Sequence, residues 1–172
     1  WIVDLWGADH HGYVPRMKSA LQAMGYDENV FKVMLVQFVS LKRDGEKVSM
    51  STRSGEFETL ADVIKEVGVD ATRFFFLMRS SDTHLDFDLE LAKKASADNP
   101  VFYIQYAHAR ICSIFRTATE RGIKPLDSVD IDLSPLKNEE EFLMIKKILS
   151  FTEIIEKSAE LLEVHRVPFY LQ

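Results

Sequence analysis

Up to Gly55 the apolar residues come in short runs; beyond it they recur every three or four positions. Trp1 to Trp6 reads as a buried strand ended by Gly7. From Gly12 to Met24, residues Val14, Met17, Leu21 and Met24 fall at helical spacing. Pro15 sits in the first turn of that helix, where a missing N–H costs little, and Gly25 closes it as a left-handed cap. Val30 to Leu41 is apolar on both alternating faces, as in an interior strand of a covered parallel sheet. Strand, helix and strand in this order form a βαβ unit. Asp44-Gly45, within Lys42 to Lys47, signals a tight turn. Val48 then leads into the polar loop Ser49 to Gly55, and no later segment reads as a strand.

The remainder reads as helices with explicit start and stop signals. Thr59 and Asp62 suggest a capping box, and Gly68 ends that helix. Asp70 is expected to cap Ala71 to Arg79, and Asp88 to cap a helix over Leu89 to Ala97. Asn99-Pro100 opens the longest helix, which Gly122 closes, with Ile104, Ala107, Ile111 and Ile114 as its core stripe. Ile123 to Leu136, containing Pro125 and Pro135, is a linker. Two more helices are expected, over Asn138 to Leu149 and Thr152 to His165. The layout is a fragment of α/β sheet followed by an all-α helical bundle.

Composition narrows the class. Of 172 residues, 47% are apolar and 28% charged, as in a folded globular protein rather than a disordered tail. No apolar run nears the roughly 20 residues of a membrane span. The opening residues show no secretory signal. The chain starts at Trp1 and closes on Phe169-Tyr170-Leu171-Gln172, so a fragment of something longer is expected. Its single cysteine, Cys112, cannot pair within the chain, suits a cytoplasmic setting and, beside Ile111 and Ile114, is expected in the core. A formal charge of −6 disfavours nonspecific coating of DNA but leaves room for a structured RNA bound through local basic patches.

Three constellations could carry chemistry. The first, Gly7-Ala8-Asp9-His10-His11-Gly12-Tyr13, lies at the carboxyl end of a strand and before a helix, where open α/β sheets bind ligands. Gly7 would admit a close backbone approach, Asp9 could accept from ribose hydroxyls, and His10 or His11 could donate to a phosphate or base edge. The plain alternative is that Asp9 caps the helix and the histidines are loop residues. Adjacent histidines without further ligands at usual spacings give no metal site. The second is Lys47 to Gly55 with Lys42 and Arg43 upstream: hydroxyls and backbone N–H groups can cradle phosphate oxygens while cations offset charge on a leaving pyrophosphate. A solvated basic turn would look the same, and no P-loop pattern is present. The third comprises Asn99, Tyr103, Tyr106 and Arg110, at steps of four, three and four. Such residues can stack on unpaired RNA bases, or the tyrosines can simply pack on a neighbouring helix.

In order, Trp6 to Tyr13, Met50 to Gly55, Asp70 to Leu77, Leu85 to Asp88, Asn99 to Arg110 and His165-Arg166 resemble the class I arginyl-tRNA synthetases. The resemblance implies a Rossmann-like parallel sheet of which residues 1–66 are the C-terminal part, a helical connector over 67–97, and the start of a helical anticodon-binding domain over 98–172. It implies that arginine and ATP, with Mg2+, give arginyl-adenylate, and that arginine then passes to the terminal ribose of tRNA(Arg). By the same analogy Gly7, Asp9, His10, Ser49 and Met50 would bind ATP. Met50, Ser51, Thr52 and Arg53 would act catalytically within the KMSKS-type loop, which Ser49 to Arg53 match. Asn99, Tyr103, Tyr106 and Arg110 would meet tRNA. The loop departs from the family pattern: Ser49 and Thr52 stand where the two lysines belong, so Arg53 or Lys47 would have to supply the charge. The HIGH-type motif and the arginine pocket are absent from the chain, which by itself is expected not to activate arginine. Another class I synthetase, such as the cysteinyl type, lacks support because its zinc-ligand cysteines and intact loop are missing. A noncatalytic tRNA-binding or scaffold protein with a degenerate synthetase body is the alternative from a different class.

Overall fold

A computed structural model describes residues 1–48, 58–124 and 131–172. Strand β1 (Ile2–Gly7) runs parallel to β2 (Phe31–Val36), and α1 (Val14–Ala23) connects them. The expected crossover is therefore present, with Gly7 aligned to Val36. Pro15 stands in the first turn of α1, and Gly25 follows it at φ 87°. The helix starts later than its apolar spacing suggests, because Ala8–Tyr13 wind first into a 3-10 turn.

The apolar run Val30 to Leu41 is not one strand. It breaks at Gln37-Phe38 into β2 and β3 (Val39–Arg43), which belong to different sheets. The Gln37 N–H donates to the Ser81 carbonyl at 2.8 Å, so the backbone turns away from β1 at that point. Strand β3 forms a hairpin with β4 (Glu46–Lys47) through Asp44-Gly45, whose φ values of 52° and 83° match a primed two-residue turn. Its other edge pairs in parallel with β5 (Leu85–Asp88). This last strand corrects the expectation that nothing past the loop is extended. Leu85 and Phe87 are buried, alternating with Asp86 and Asp88 at the period of two that a half-covered strand requires.

Helices α2 (Leu60–Val67), α3 (Val69–Leu77) and α4 (Leu89–Lys93) cover this second sheet. The Thr59–Asp62 capping box is present in both directions, and Gly68 ends α2 at φ 87°. Asp70 is not a cap: α3 starts at Val69, and the Asp70 carboxylate accepts from Gln105 Nε2 instead. Asp88 caps α4 through the Leu91 N–H at 2.9 Å, although the helix stops at Lys93. Phe87, Phe75, Leu89, Val63 and Leu41 form the buried centre, with the Phe75 and Phe76 rings each 5.5 Å from Phe87.

Helix α5 (Pro100–Glu120) begins in this core and then leaves it. Val101 is buried and Ile104 half-buried, whereas Ala107, Ile111 and Ile114 are exposed. At 1.5 Å per residue α5 is about 31 Å long, and only its first turns meet α3. The expected core stripe is thus half realised. Cys112 is exposed rather than buried, with its Sγ 3.6 Å from His108 Nε2. The two helices expected near the C-terminus are one, α6 (Glu139–Leu161), which is longer than α5. The Ser150 hydroxyl donates back to the Lys147 carbonyl at 2.8 Å, so that polar stretch is absorbed into the helix. A left-handed Leu162 (φ 58°) ends α6, and α7 (Arg166–Leu171) closes the chain.

Candidate functional site

Strand β1 delivers the chain to Gly7 in an extended conformation (φ −62°, ψ 146°), which any residue could adopt. A Cβ at Gly7 would meet Asp9 Oδ1 at 2.5 Å, the end of an exposed side chain that can swing aside, so the contact shows only how closely Asp9 folds over the strand end. The 3-10 turn folds Asp9 back over the strand end and leaves Asp9 and His10 more than half exposed, with His10 Nε2 3.4 Å from Asp9 Oδ2. The His10 ring lies 5.9 Å from that of Tyr13, and the Arg16 guanidinium sits 5.3 Å above Tyr13. His11 is exposed as well, with its Nδ1 3.1 Å from the Ala8 carbonyl oxygen. The capping alternative for Asp9 fails, because α1 starts at Val14 and its N-cap, Tyr13, is joined by no side-chain cap hydrogen bond. Gly7, Asp9 and His10 are therefore brought together at an accessible strand end, with a carboxylate and an imidazole presented side by side.

Strand β1 is not buried, contrary to the reading of its apolar content. Trp1 and Leu5 are 75% and 69% exposed. Two parallel strands with one crossover helix lack the second layer that buries such a sheet. Phe31 is the exception, buried against the Trp6 ring edge.

The second constellation divides. Ser49, Met50, Ser51, Thr52 and Arg53 lie outside the described residues. The cations upstream of them are described, and each already has an anionic partner. Lys42 Nζ is 2.8 Å and Lys47 Nζ 3.5 Å from the Asp86 carboxylate on β5. His84 Nε2 meets the same carboxylate at 3.3 Å and the Ser40 hydroxyl at 3.0 Å. Arg43 forks onto both oxygens of Glu66 and also reaches Glu58 at 2.9 Å. Lys93 brings α4 into this network through Glu66 and Glu90. The Arg43 and Lys93 hydrogen bonds hold the Glu66 carboxyl down to about 2. Glu66 and Glu58 in turn hold the Arg43 guanidinium well above its usual range. Hydrogen bonding from Lys42 lowers Asp86. Arg43 and Lys42 thus tie sheet to helix, and Lys47, 62% exposed, is the least committed of the three.

The third constellation loses a member. Asn99 is 4% exposed. Its carboxamide oxygen accepts from the Val101 N–H, and its amide donates to the Ala92 and Lys94 carbonyls at 3.0 and 2.9 Å. With its polar atoms satisfied internally, Asn99 is a buried helix cap and not an RNA contact. Tyr103 and Tyr106 are both 52% exposed. Tyr106 lies between Phe102, stacked at 6.2 Å and 12°, and the Arg110 guanidinium at 5.8 Å. Tyr106 thus packs beside two residues of its own helix, and Tyr103, Tyr106 and Arg110 all remain exposed.

Asp86, Glu66 and Phe102 were not singled out by the sequence. Alternation in Leu85-Asp86-Phe87-Asp88 was a usable sign of a strand with a polar face. Nothing local marks Glu66, whose partner Arg43 is 23 residues away. Among the described residues, no group of three or more His, Cys, Asp or Glu side chains could hold a metal ion, and no helix is long and apolar enough to cross a membrane.

Comparison with known proteins accounts for the order of these elements. Residues 104–172 match the DALR anticodon binding domain family. The whole chain is 60% identical to an arginine–tRNA ligase of Geobacter sp. (strain M21), and 99% of it is 58% identical to one of Oleidesulfovibrio alaskensis. In both cases it spans 31% of the relative's length, so it corresponds to about a third of those proteins. The crystal structure of a Campylobacter jejuni protein assigned as an arginyl-tRNA synthetase superposes with a TM-score of 0.84 at 38% identity, covering 98% of this chain and 36% of that one. Thermus thermophilus arginyl-tRNA synthetase shares the fold at a TM-score of 0.72 and 22% identity, over 98% of this chain and 30% of its own.

Proposed function

We propose that this chain, similar along its whole length to arginine–tRNA ligases, works as the corresponding part of such an enzyme. On this reading residues 1–66 are the C-terminal part of a Rossmann-like catalytic domain, 67–97 a helical connector, and 98–172 the first part of the anticodon-binding domain. The protein would activate arginine with ATP to arginyl-adenylate and transfer it to the terminal ribose of tRNA(Arg). The observation that carries the nucleotide role is the exposed Asp9–His10 pair at the carboxyl end of a parallel strand, directly after Gly7. An accessible carboxylate there suits ribose hydroxyls, and the neighbouring imidazole can donate to a base edge or phosphate. Ser49, Met50, Ser51, Thr52 and Arg53 would serve the triphosphate, as the likeness of this segment to the KMSKS-type loop implies. Mg2+ would arrive on the ATP phosphates. Tyr103, Tyr106 and Arg110 would serve tRNA.

Aminoacylation by the full-length protein tests this. Asp9→Ala should raise the KM for ATP and leave the melting temperature unchanged, at a cost of about 1–3 kcal/mol if a buried hydrogen bond to ribose is lost. An unchanged KM for ATP and unchanged kcat would remove Asp9 from the nucleotide site. Absence of arginylation by the unsubstituted protein, with tRNA binding retained, would favour a noncatalytic tRNA-binding role.

A further inference from the structure

The two faces of the β4–β3–β5 sheet carry different chemistry. Leu41, Leu85 and Phe87 are buried beneath the helices, whereas Ser40, Lys42 and Asp86 alternate with them on the open face. Lys42 and Lys47 are direct cross-strand partners, so their side chains share that face. Like charges placed opposite each other repel, and the Asp86 carboxylate bridges this pair. Its two oxygens are used unequally. Lys42 Nζ holds Oδ2 at 2.8 Å, while Oδ1 has longer contacts, to Lys47 Nζ at 3.5 Å and His84 Nε2 at 3.3 Å. One carboxylate between two lysines neutralises one of them. The tighter contact assigns that neutralisation to Lys42, and Lys47, with 62% exposure against 31%, carries its charge at the surface. Its backbone is fixed on both sides: Lys47 pairs with β3, and the next N–H, of Val48, donates to the Leu41 carbonyl at 2.9 Å. Ser49 follows directly.

We propose that Lys47 is a catalytic residue, supplying to the ATP triphosphate the charge that Ser49 and Thr52 lack, and that Asp86 is the positioning residue that aims it. The assignment rests on the nucleotide reading under the proposed function and deepens it by choosing one cation and naming what holds it. An ammonium has three N–H donors, so Lys47 can take a phosphate oxygen without giving up Asp86. In the step concerned, a carboxylate oxygen of arginine attacks the α-phosphorus. The bond from that phosphorus to the bridging oxygen breaks as the new one forms, pyrophosphate leaves with the electron pair, and no proton moves. Negative charge grows on the leaving pyrophosphate, where a cation already held in place needs no reorganisation.

Arginylation kinetics of the full-length protein, with ATP, arginine and tRNA(Arg) varied in turn, test this. Lys47→Met should lower kcat/KM for ATP by roughly 100-fold, the effect of losing one donor to a developing anion. The KM values for arginine and tRNA(Arg) and the melting temperature should not move. Asp86→Asn should lower kcat/KM for ATP by roughly tenfold or more, since a misplaced group loses much of its effect, and Asp86→Glu should recover most of that loss. In a Lys47→Met background, Asp86→Asn should cost less than about twofold further, because it acts through the missing ammonium. Losses that multiply in the double variant overturn the assignment and leave Asp86 a role in folding alone. An unchanged kcat/KM for ATP in Lys47→Met also overturns it, passing the charge to another cation such as Arg53 while the proposed function stands. Lys47→Met keeps the test decisive even where Asp86→Asn fails to fold, since the Lys47 side chain is largely exposed. A parent that forms no arginyl-tRNA overturns the proposed function and this assignment with it.

Discussion

Between Val39 and Val101 the chain closes on itself, whereas the segments on either side keep their secondary structure with apolar faces open. Phe87 and Leu89 have no exposed surface, and Val63 has 2%. On the flanks, Leu5 of β1, Ile114 of α5 and Leu149 of α6 are 69%, 65% and 73% exposed. Both kinds of region carry good local signals, including a capping box, Asn and Asp caps, and glycines at positive φ. Local signals therefore mark many element ends in both kinds of region. Burial requires a neighbour, and within the described residues the middle segment has neighbours on both faces.

The sharpest way to break this contrast is to delete equivalent apolar bulk from each region and follow urea unfolding. Phe87→Ala removes a ring packed against Phe75 and Phe76 and should cost about 3–5 kcal/mol. Ile114→Ala, on the open face of α5, should change stability by less than about 0.5 kcal/mol. Equal losses at the two positions would mean that α5 is packed as tightly as the centre.

A smaller effect probes the junction between the regions. Asn99 joins α4 to α5 through two carbonyl acceptors and the first free N–H groups of α5. Asn99→Ala should cost about 1–3 kcal/mol, combining a lost cap with unsatisfied buried carbonyls. A neutral substitution would show that the two segments fold independently.

The smallest expected effect concerns the ion-pair network that fastens β3 to α2 and α4. Glu66 is held down to about 2 from an ordinary value of 4.5, with the Arg43 hydrogen bond as the largest cause. Because the folded value is depressed, its contribution is fully present above pH 4.5 and is lost as pH falls through about 2. The stability gap between the parent and Glu66→Gln should therefore be widest near neutrality and close across that window. A gap independent of pH would place the carboxylate's role in packing rather than charge. The pair is partly exposed, so solvent screening keeps this term modest.

Local chemistry made much of the fold legible. The parallel crossover, the Asp44-Gly45 turn, the caps at Thr59, Asp88 and Asn99, and the close of α1 at Gly25 follow from residues a few positions apart. The strand-end position of Gly7, Asp9 and His10 was legible for the same reason. Two errors came from reading composition without partners. Val30 to Leu41 carries no Gly or Pro to show that it breaks where Gln37 bonds Ser81. Leu85 to Asp88 is too short to stand out until β3 lies beside it.

By itself the sequence determined the Asp44-Gly45 turn, the helix starts at Thr59, Asp88 and Asn99, the helix ends at Gly25 and Gly68, and which strand end carries an acid and an imidazole side by side. Only tertiary structure decided that Asn99 is buried, that Cys112 is exposed, and that Lys42 and Arg43 are committed to Asp86 and Glu66. Caps and turns are satisfied within one or two turns of chain. Ion pairs and burial join residues 23 and 27 positions apart, as Arg43–Glu66 and Glu66–Lys93 do, and no local pattern encodes which distant group arrives.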